Sequence, residues 1–301
     1  MPARTKKGPY KYKSKPKLGK WFFVLPVVFL VIILSSFFFL LSSSFWGRGE
    51  RLGLSYINTS GDIAVTNFDP KLGTIATVVI PKDTEVEVSR SLGKWRIGVL
   101  YQLGENEKLG GVLLSETITR YFKMPSDRWA SGEISFSTMF SSLKTNLSVA
   151  DRVSISVFPF FVKSGSKISI NAADVQYVKK SKLSDGKLGY IRAFEKLPFE
   201  ISTIFADPDI STEALTIQIE NRSGKKALAS DLGEIIEVMG AKIFSLQAGD
   251  KIDSDCIIYG KRSVTRDRLS RVFTCKTSDK LKGQGNFDLV IQIGTGFARR
   301  Y

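Results

Sequence analysis

Histidine is absent from all 301 residues. That removes the commonest general acid/base and the commonest metal ligand together, and excludes serine–histidine hydrolases, zincins and histidine-dependent phosphotransfer. Cysteine occurs only twice, at Cys256 and Cys275. Two thiolates without a histidine cannot build a tetrahedral zinc site, and there is no C-x-x-C. G-x-S-x-G and G-x-x-x-x-G-K-[ST] are missing as well. Gly294-Thr295-Gly296 lacks both a third glycine and a following helix pattern, and reads as a turn rather than a phosphate cradle.

Charge is missing where it matters most. Residues 22–41 (FFVLPVVFLVIILSSFFFLL) carry none, and about 20 helical residues at about 1.5 Å each span a hydrocarbon core of about 30 Å. A membrane-spanning helix is expected over 21–46, with Pro26 near its start, where its missing donor costs least, and Trp21 and Trp46 at the two interfaces. The first 20 residues hold Arg4, Lys6, Lys7, Lys11, Lys13, Lys15, Lys17 and Lys20 and no acid. By the positive-inside rule this tail stays in the cytoplasm, the span is an uncleaved signal anchor, and residues 47–301 are extracytoplasmic. A cleaved signal peptide ending near Ser42-Ser43-Ser44 is the alternative, but its apolar region would be shorter.

The net charge of +15 is unevenly placed. Beyond the tail, 36 Lys and Arg face 29 acids, an excess of seven. That excess suits anionic envelope polymers or lipid head groups, and no folded reader motif supports a nucleic-acid partner. On the exported side the two cysteines can oxidise, closing a loop worth about 3 kcal/mol in the chain-entropy model; two separate buried thiols are the other possibility. N-x-[ST] triplets at Asn58, Asn146 and Asn221 would accept glycans only in a eukaryotic host, as on a surface adhesin.

Alternation predicts strands over 52–57, 63–68 and 74–80, with turns at Ser60-Gly61 and Asp69-Pro70. Helical spacing is read over 112–122 and 135–147, and a strand over 153–162 interrupted at Pro159. Residues 206–211 read as a linker. From Thr212 the pattern becomes β-α-β-β-α-β: strands at 215–220, 241–246, 256–259 and 287–293, helices at 225–239 and 264–273, with Gly240 as a helix stop. The fold class expected is therefore a membrane-anchored α/β plus α+β chain. Its parts are a tail (1–20), a transmembrane helix (21–46), a mixed-sheet domain (52–205) and an α+β domain (213–301).

Residues 215–240 (LTIQIENRSGKKALASDLGEIIEVMG) and 286–297 (NFDLVIQIGTGF) resemble the LytR C-terminal domain of LytR-CpsA-Psr (LCP) cell-envelope proteins, over about 213–301. Gly61-Asp62, Phe68-Asp69-Pro70 and Ile80-Pro81-Lys82-Asp83-Thr84 are similar to the opening of the LCP catalytic domain. Gly93 to Tyr101 and Leu109 to Met124 fall where that domain has its next strand and helix. The similarity fades after about residue 160.

The resemblance implies work on envelope glycopolymer carried on polyprenyl-pyrophosphate and bound for peptidoglycan. It implies Asp62 and Asp83 as carboxylates for Mg²⁺, and Lys82 and Arg96 as cations facing pyrophosphate. Each has a plain structural reading too: Asp62 and Asp83 as turn residues, Arg96 as the solvated side of a strand whose Trp95 faces inward. Two departures weaken catalysis. Lys82 stands where the family has arginine, a point charge in place of a fork. No arginine-rich stretch occurs between 160 and 210, where Lys179, Lys180 and Arg192 are isolated. The expected function is thus non-catalytic binding of cell-wall polymer or other envelope components at the cell membrane. The alternative is a divergent LCP-type transferase or pyrophosphatase acting with Mg²⁺.

Overall fold

The computed structural model describes residues 8, 21–280 and 287–301; the basic tail expected over 1–20 lies outside the described residues. Helix α1 (Trp21–Ser43) contains Pro26 near its start. Its stretch Pro26–Ser43 is long and apolar enough to cross a membrane, and none of it is buried. Residues up to Leu40 form one unit and Leu41–Tyr301 a second, compact one.

The second unit begins with three antiparallel strands, β1 (Leu52–Ile57), β2 (Ile63–Asp69) and β3 (Thr74–Ile80). A short hairpin follows, β4 (Glu85–Glu87) with β5 (Lys94–Arg96), then helices α2 (Leu100–Asn106) and α3 (Val112–Tyr121), strand β6 (Arg128–Ala130), helix α4 (Val149–Val157) and strand β7 (Lys167–Asn171). The first sheet runs β6-β1-β2-β3-β7, with both outer strands added in parallel. All seven residues of β2 are buried, because both faces are covered. Ile63, Val65, Val78 and Ile80 pack with Leu113, Ile118 and Phe122 of the α3 side. Leu52, Leu54 and Phe68 face the other way, onto Phe45, Ile134, Ile155 and Phe158. Alternating strand residues thus feed two separate cores.

A second hairpin, β8 (Val178–Lys182) with β9 (Leu188–Arg192), leads to α5 (Phe199–Phe205) and α6 (Pro208–Glu213). Then come β10 (Thr216–Asn221), α7 (Leu228–Val238), β11 (Lys242–Ala248), β12 (Cys256–Gly260), α8 (Val264–Phe273), β13 (Lys276–Ser278), β14 (Leu289–Ile293) and α9 (Thr295–Arg300). The second sheet runs β11-β10-β14-β12-β13. The β-α-β-β-α-β order is present, with the short β13 and α9 added. α7 buries Leu228, Leu232, Ile235 and Ile236, and Gly240 ends the run at φ +98°, where a side chain would be strained. Cys256 and Cys275 are disulfide-bonded between β12 and the segment after α8.

The run after Gly294, read as a turn with no helix behind it, opens helix α9, and Trp95, read as facing inward, is exposed. Three further segments differ from the sequence expectation, each because a polar side chain fixes the backbone locally. Residues 135–147 form turns instead of a helix. Thr138 Oγ1 accepts the Ser135 N–H at 2.8 Å and donates to the Glu133 carbonyl at 2.9 Å, while Ser141 Oγ donates to the Thr138 carbonyl at 2.6 Å, so hydroxyls compete with helical pairing. Residues 149–157 are helical although V-S-I-S-V alternates, because Ser148 caps them by accepting the Asp151 N–H at 3.0 Å. The expected linker is helix α6, with Asp207 as its cap and Pro208 in its first turn.

The two sheets are joined by buried charge. Arg268 on α8 donates to Asp127 at 2.9 Å with side chains 6% and 3% exposed, and to the Arg51 carbonyl at 2.8 Å. The other oxygen of Asp127 accepts the Gly53 N–H at 2.9 Å. Arg51 in turn pairs with Asp69 at 2.7 Å and donates to the Ala206 carbonyl. Burial pulls the Arg51 guanidinium below its ordinary value, against the pull of Asp69. Removing one member leaves a largely buried charge without its nearest partner, although Arg271 also lies 3.7 Å from Asp127. Arg268→Ala and Asp127→Ala are each expected to cost about 3–5 kcal/mol, read as a lower urea midpoint at unchanged slope.

Glu213, the last residue of α6, accepts the N–H groups of Val264 and Thr265 at 2.8 Å each and the Thr265 hydroxyl at 2.6 Å. It therefore satisfies the open amides at the start of α8. Burial raises its carboxyl, but these hydrogen bonds outweigh it and hold the group below its ordinary 4.5. A lowered carboxylate contributes stability that is present above the ordinary value and lost as pH falls through the folded one. The stability difference between the wild type and Glu213→Gln should accordingly be constant near neutrality and shrink below pH 4.5, followed by urea unfolding across an acid series.

Candidate functional site

The four residues singled out from the sequence lie around the corner where β3 gives way to the β4–β5 hairpin. The turn after β1 is built by Asn58, whose side-chain oxygen accepts the Ser60 and Asp62 N–H groups at 3.0 and 2.9 Å, with Gly61 at φ +83°. That turn presents Asp62 to the next corner, where its Oδ1 accepts the Lys82 backbone N–H at 2.9 Å. The Lys82 ammonium reaches the Ser60 carbonyl at 3.4 Å. Asp62 and Lys82 are therefore neighbours, joined through main chain.

Asp83 and Arg96 are joined through side chains. Arg96 Nη1 meets Asp83 Oδ1 at 2.6 Å, and Nη2 meets Asp185 Oδ2 at 2.9 Å. Asp185 comes from the β8–β9 turn, where it also accepts the Lys187 N–H at 2.9 Å. That amide, with Arg96 behind it, holds the Asp185 carboxyl below the ordinary carboxylate range. The two acids hold the Arg96 guanidinium above its own ordinary value. The hairpins close on this corner because two glycines permit it: a Cβ on Gly98 would sit 2.8 Å from the Lys82 Cβ, and one on Gly189 would sit 2.5 Å from the Asp83 carbonyl oxygen.

This geometry does not suit Mg²⁺. The cation needs several hard oxygens in octahedral array, whereas a guanidinium already neutralises Asp83 and a main-chain amide holds Asp62. Among the described residues no group of three or more His, Cys, Asp or Glu is placed to hold a metal ion. Arg192, counted as isolated, is committed to packing: it donates to the Tyr121 carbonyl and its guanidinium lies 4.5 Å from the Tyr121 ring centroid.

A different place has the shape of a ligand site. On the α4 side of the first sheet lies a cavity of about 280 Å³, with Leu54, Phe68 and Ile75 from the strands and Ile134, Ile155 and Pro159 from the covering segments. Glu133 and Lys167 supply its charged groups. Its polar floor is small: the Thr66 and Thr77 hydroxyls lie 2.8 Å apart, with the Tyr56 hydroxyl 3.5 Å from Thr66. Burial raises the Tyr56 hydroxyl above its ordinary value, so it stays protonated at neutral pH. None of Asp62, Lys82, Asp83 or Arg96 lines this cavity. The signal for it was present in the sequence as the second face of strands 52–57, 63–68 and 74–80, but the roof sat in segments whose helices were misplaced.

No protein-family profile matches the sequence, and no curated protein matches it. Among solved structures, Bacillus subtilis TagV overlaps with a TM-score of 0.37 at 11% identity, over 48% of this chain and 91% of that one. Bacillus subtilis TagT gives a TM-score of 0.35 at 12% identity, over 47% and 84%. A LytR-CPS2A-psr family protein, YwtF (TagT), with bound octaprenyl pyrophosphate lipid, gives 0.35 at 14%, over 47% and 83%. At these scores the likeness is a partial overlap of backbone.

One consequence of the Arg96 bridge is open to measurement. In Arg96→Gln the carboxyl of Asp185 should rise part of the way toward its ordinary value, because the Lys187 N–H remains. Carboxyl-carbon NMR titration reads this directly; an unmoved Asp185 would show that the bridge is not populated in solution.

Proposed function

We propose that this chain is a single-pass protein of the cell membrane, its N-terminus cytoplasmic, that binds lipid-linked envelope polymer on the outer side and does not transfer it. The reading is supported first by the apolar Pro26–Ser43 helix and the eight cations that precede it. It draws on the resemblance of 61–84 and 213–301 to LCP proteins. The observation that carries it is the Asp83–Arg96–Asp185 bridge: the carboxylate and the cation that pyrophosphate chemistry would need pair with one another, apart from the apolar cavity.

In this reading the chain's residues bind and orient. The cavity takes an apolar prenyl segment, whose burial is favourable at about 25 cal/mol per Å². Lys167 at its wall supplies a point charge for a phosphate. The exposed lysines around the β8–β9 hairpin, Lys179, Lys180 and Lys182, give anionic polymer a surface whose affinity would fall with salt.

Geranylgeranyl pyrophosphate titrated into the full chain in detergent is the direct test. Saturable binding is expected, weakened about tenfold, or 1.4 kcal/mol, by Ser169→Phe, which fills the cavity from the edge strand. Phosphate release in the presence of Mg²⁺ should not exceed the protein-free rate. Magnesium-dependent release that disappears in Asp83→Ala would instead support the divergent LCP-type transferase or pyrophosphatase.

A further inference from the structure

Two loops of the second unit expose phenylalanine side by side. Phe136 and Phe140 come from the turns that replace the expected helix, and Phe160 and Phe161 from the turn after α4; they are 61%, 77%, 75% and 70% exposed. The loops meet, with the rings of Phe136 and Phe160 6.4 Å apart, edge to face. Four large aromatic rings left in water on converging loops mark an interaction surface.

The chain itself indicates what covers it. Trp46 packs against Phe161 and Phe158, with ring centroids 5.2 Å apart in both pairs, and Trp46 follows the last residue of the apolar helix, Ser43, by three positions. The phenylalanines are therefore held beside the point where the chain leaves that helix. The charge pattern agrees. Residues 134–143 and 153–162 contain no charged residue, Lys163 and Lys167 follow the second loop, and Glu133 is the one acid immediately flanking either stretch. Exposed aromatics bordered by lysine suit the boundary between head groups and acyl chains.

We propose that Phe136, Phe140, Phe160 and Phe161 dip into the outer leaflet of the bilayer that the apolar helix crosses, holding the second unit against the membrane surface. The proposal rests on that helix spanning the membrane, and the two can be separated. The native cysteines are bonded to each other, so a nitroxide can be attached to one introduced cysteine at a time in the full chain. The bilayer is mixed phosphatidylcholine and phosphatidylglycerol in nanodiscs. Labels go at Val31→Cys in the helix, at Phe140→Cys and Phe160→Cys in the patch, and at Lys226→Cys on the exposed turn before α7. Collision with oxygen, which concentrates in acyl chains, is compared with collision with a water-soluble nickel chelate. The ratio at 140 and 160 should approach that at 31 and exceed that at 226 several-fold. A high ratio at 31 with 140 and 160 resembling 226 overturns the patch and leaves the span intact. A low ratio at 31 removes the span and the proposal with it. Dipolar broadening at 140 or 160 that grows with protein content, without oxygen preference, assigns the face to a second copy and overturns the proposal too.

Discussion

The most deeply buried contact between the two halves of the second unit is one ion pair, Arg268 with Asp127. Asp127 sits just before β6, the edge strand paired with β1, and its second oxygen holds the Gly53 N–H in β1 itself. Arg268 belongs to α8, which covers the other sheet, yet it also grips the Arg51 carbonyl at the entrance to β1. A single contact thus registers helix α8, strand β1 and the edge of the first sheet. Burial of such a pair is energetically close to neutral against an apolar replacement. Its effect here is geometric: together with Lys123, which pairs with Asp231 and Glu234 of α7, it fixes how the two sheets' covering elements meet. Arg51, with Asp69 and the Ala206 carbonyl, extends the same clamp to the segment between the sheets.

Most of the fold was legible because its strongest signals are periodic. Strands 52–57, 63–69 and 74–80 and helix 228–238 follow alternation or helical spacing, since each buries one stripe against a core. What escaped was decided by single polar side chains that periodicity ignores. Ser148 capping Asp151 turns an alternating segment into a helix, and Thr138 folds a helix-like spacing into turns. The cavity escaped with them, because its roof comes from Ile155 of that helix and from Ile134 and Pro159 beside the two segments. The candidate charged residues could be located on the chain, but not the partner that neutralises them. Asp185 lies 89 positions from Arg96, and nothing local announces it.

That partner changes the chemistry available. A lone Asp83 beside a lone Arg96 would be a carboxylate for a metal and a cation for a phosphate. Bridged together and to Asp185, they are a structural clasp that pins two hairpins at a corner where two glycines allow close approach. In the proposed binding reading, side chains paired with each other hold the corner rather than a leaving group, since catalysis would need interactions stronger in the transition state than before it. Binding asks less. It needs an apolar volume and a few polar groups, and the cavity beneath α4 provides both.

The segment Phe158 to Phe161 links this cavity to the surface beyond it. Phe158 is buried in the core beside the cavity and touches Trp46, Pro159 lines the cavity, and Phe160 and Phe161 stand in the open. A prenyl chain is insoluble in water, so a protein that takes one must receive it without exposing it. Under the two proposals made above, the chain from Phe160 and Phe161 through Pro159 would place the cavity wall next to the leaflet. The polar turns of the other loop, fixed by Thr138 and Ser135, hold Phe136 against Phe160 and leave Phe140 exposed.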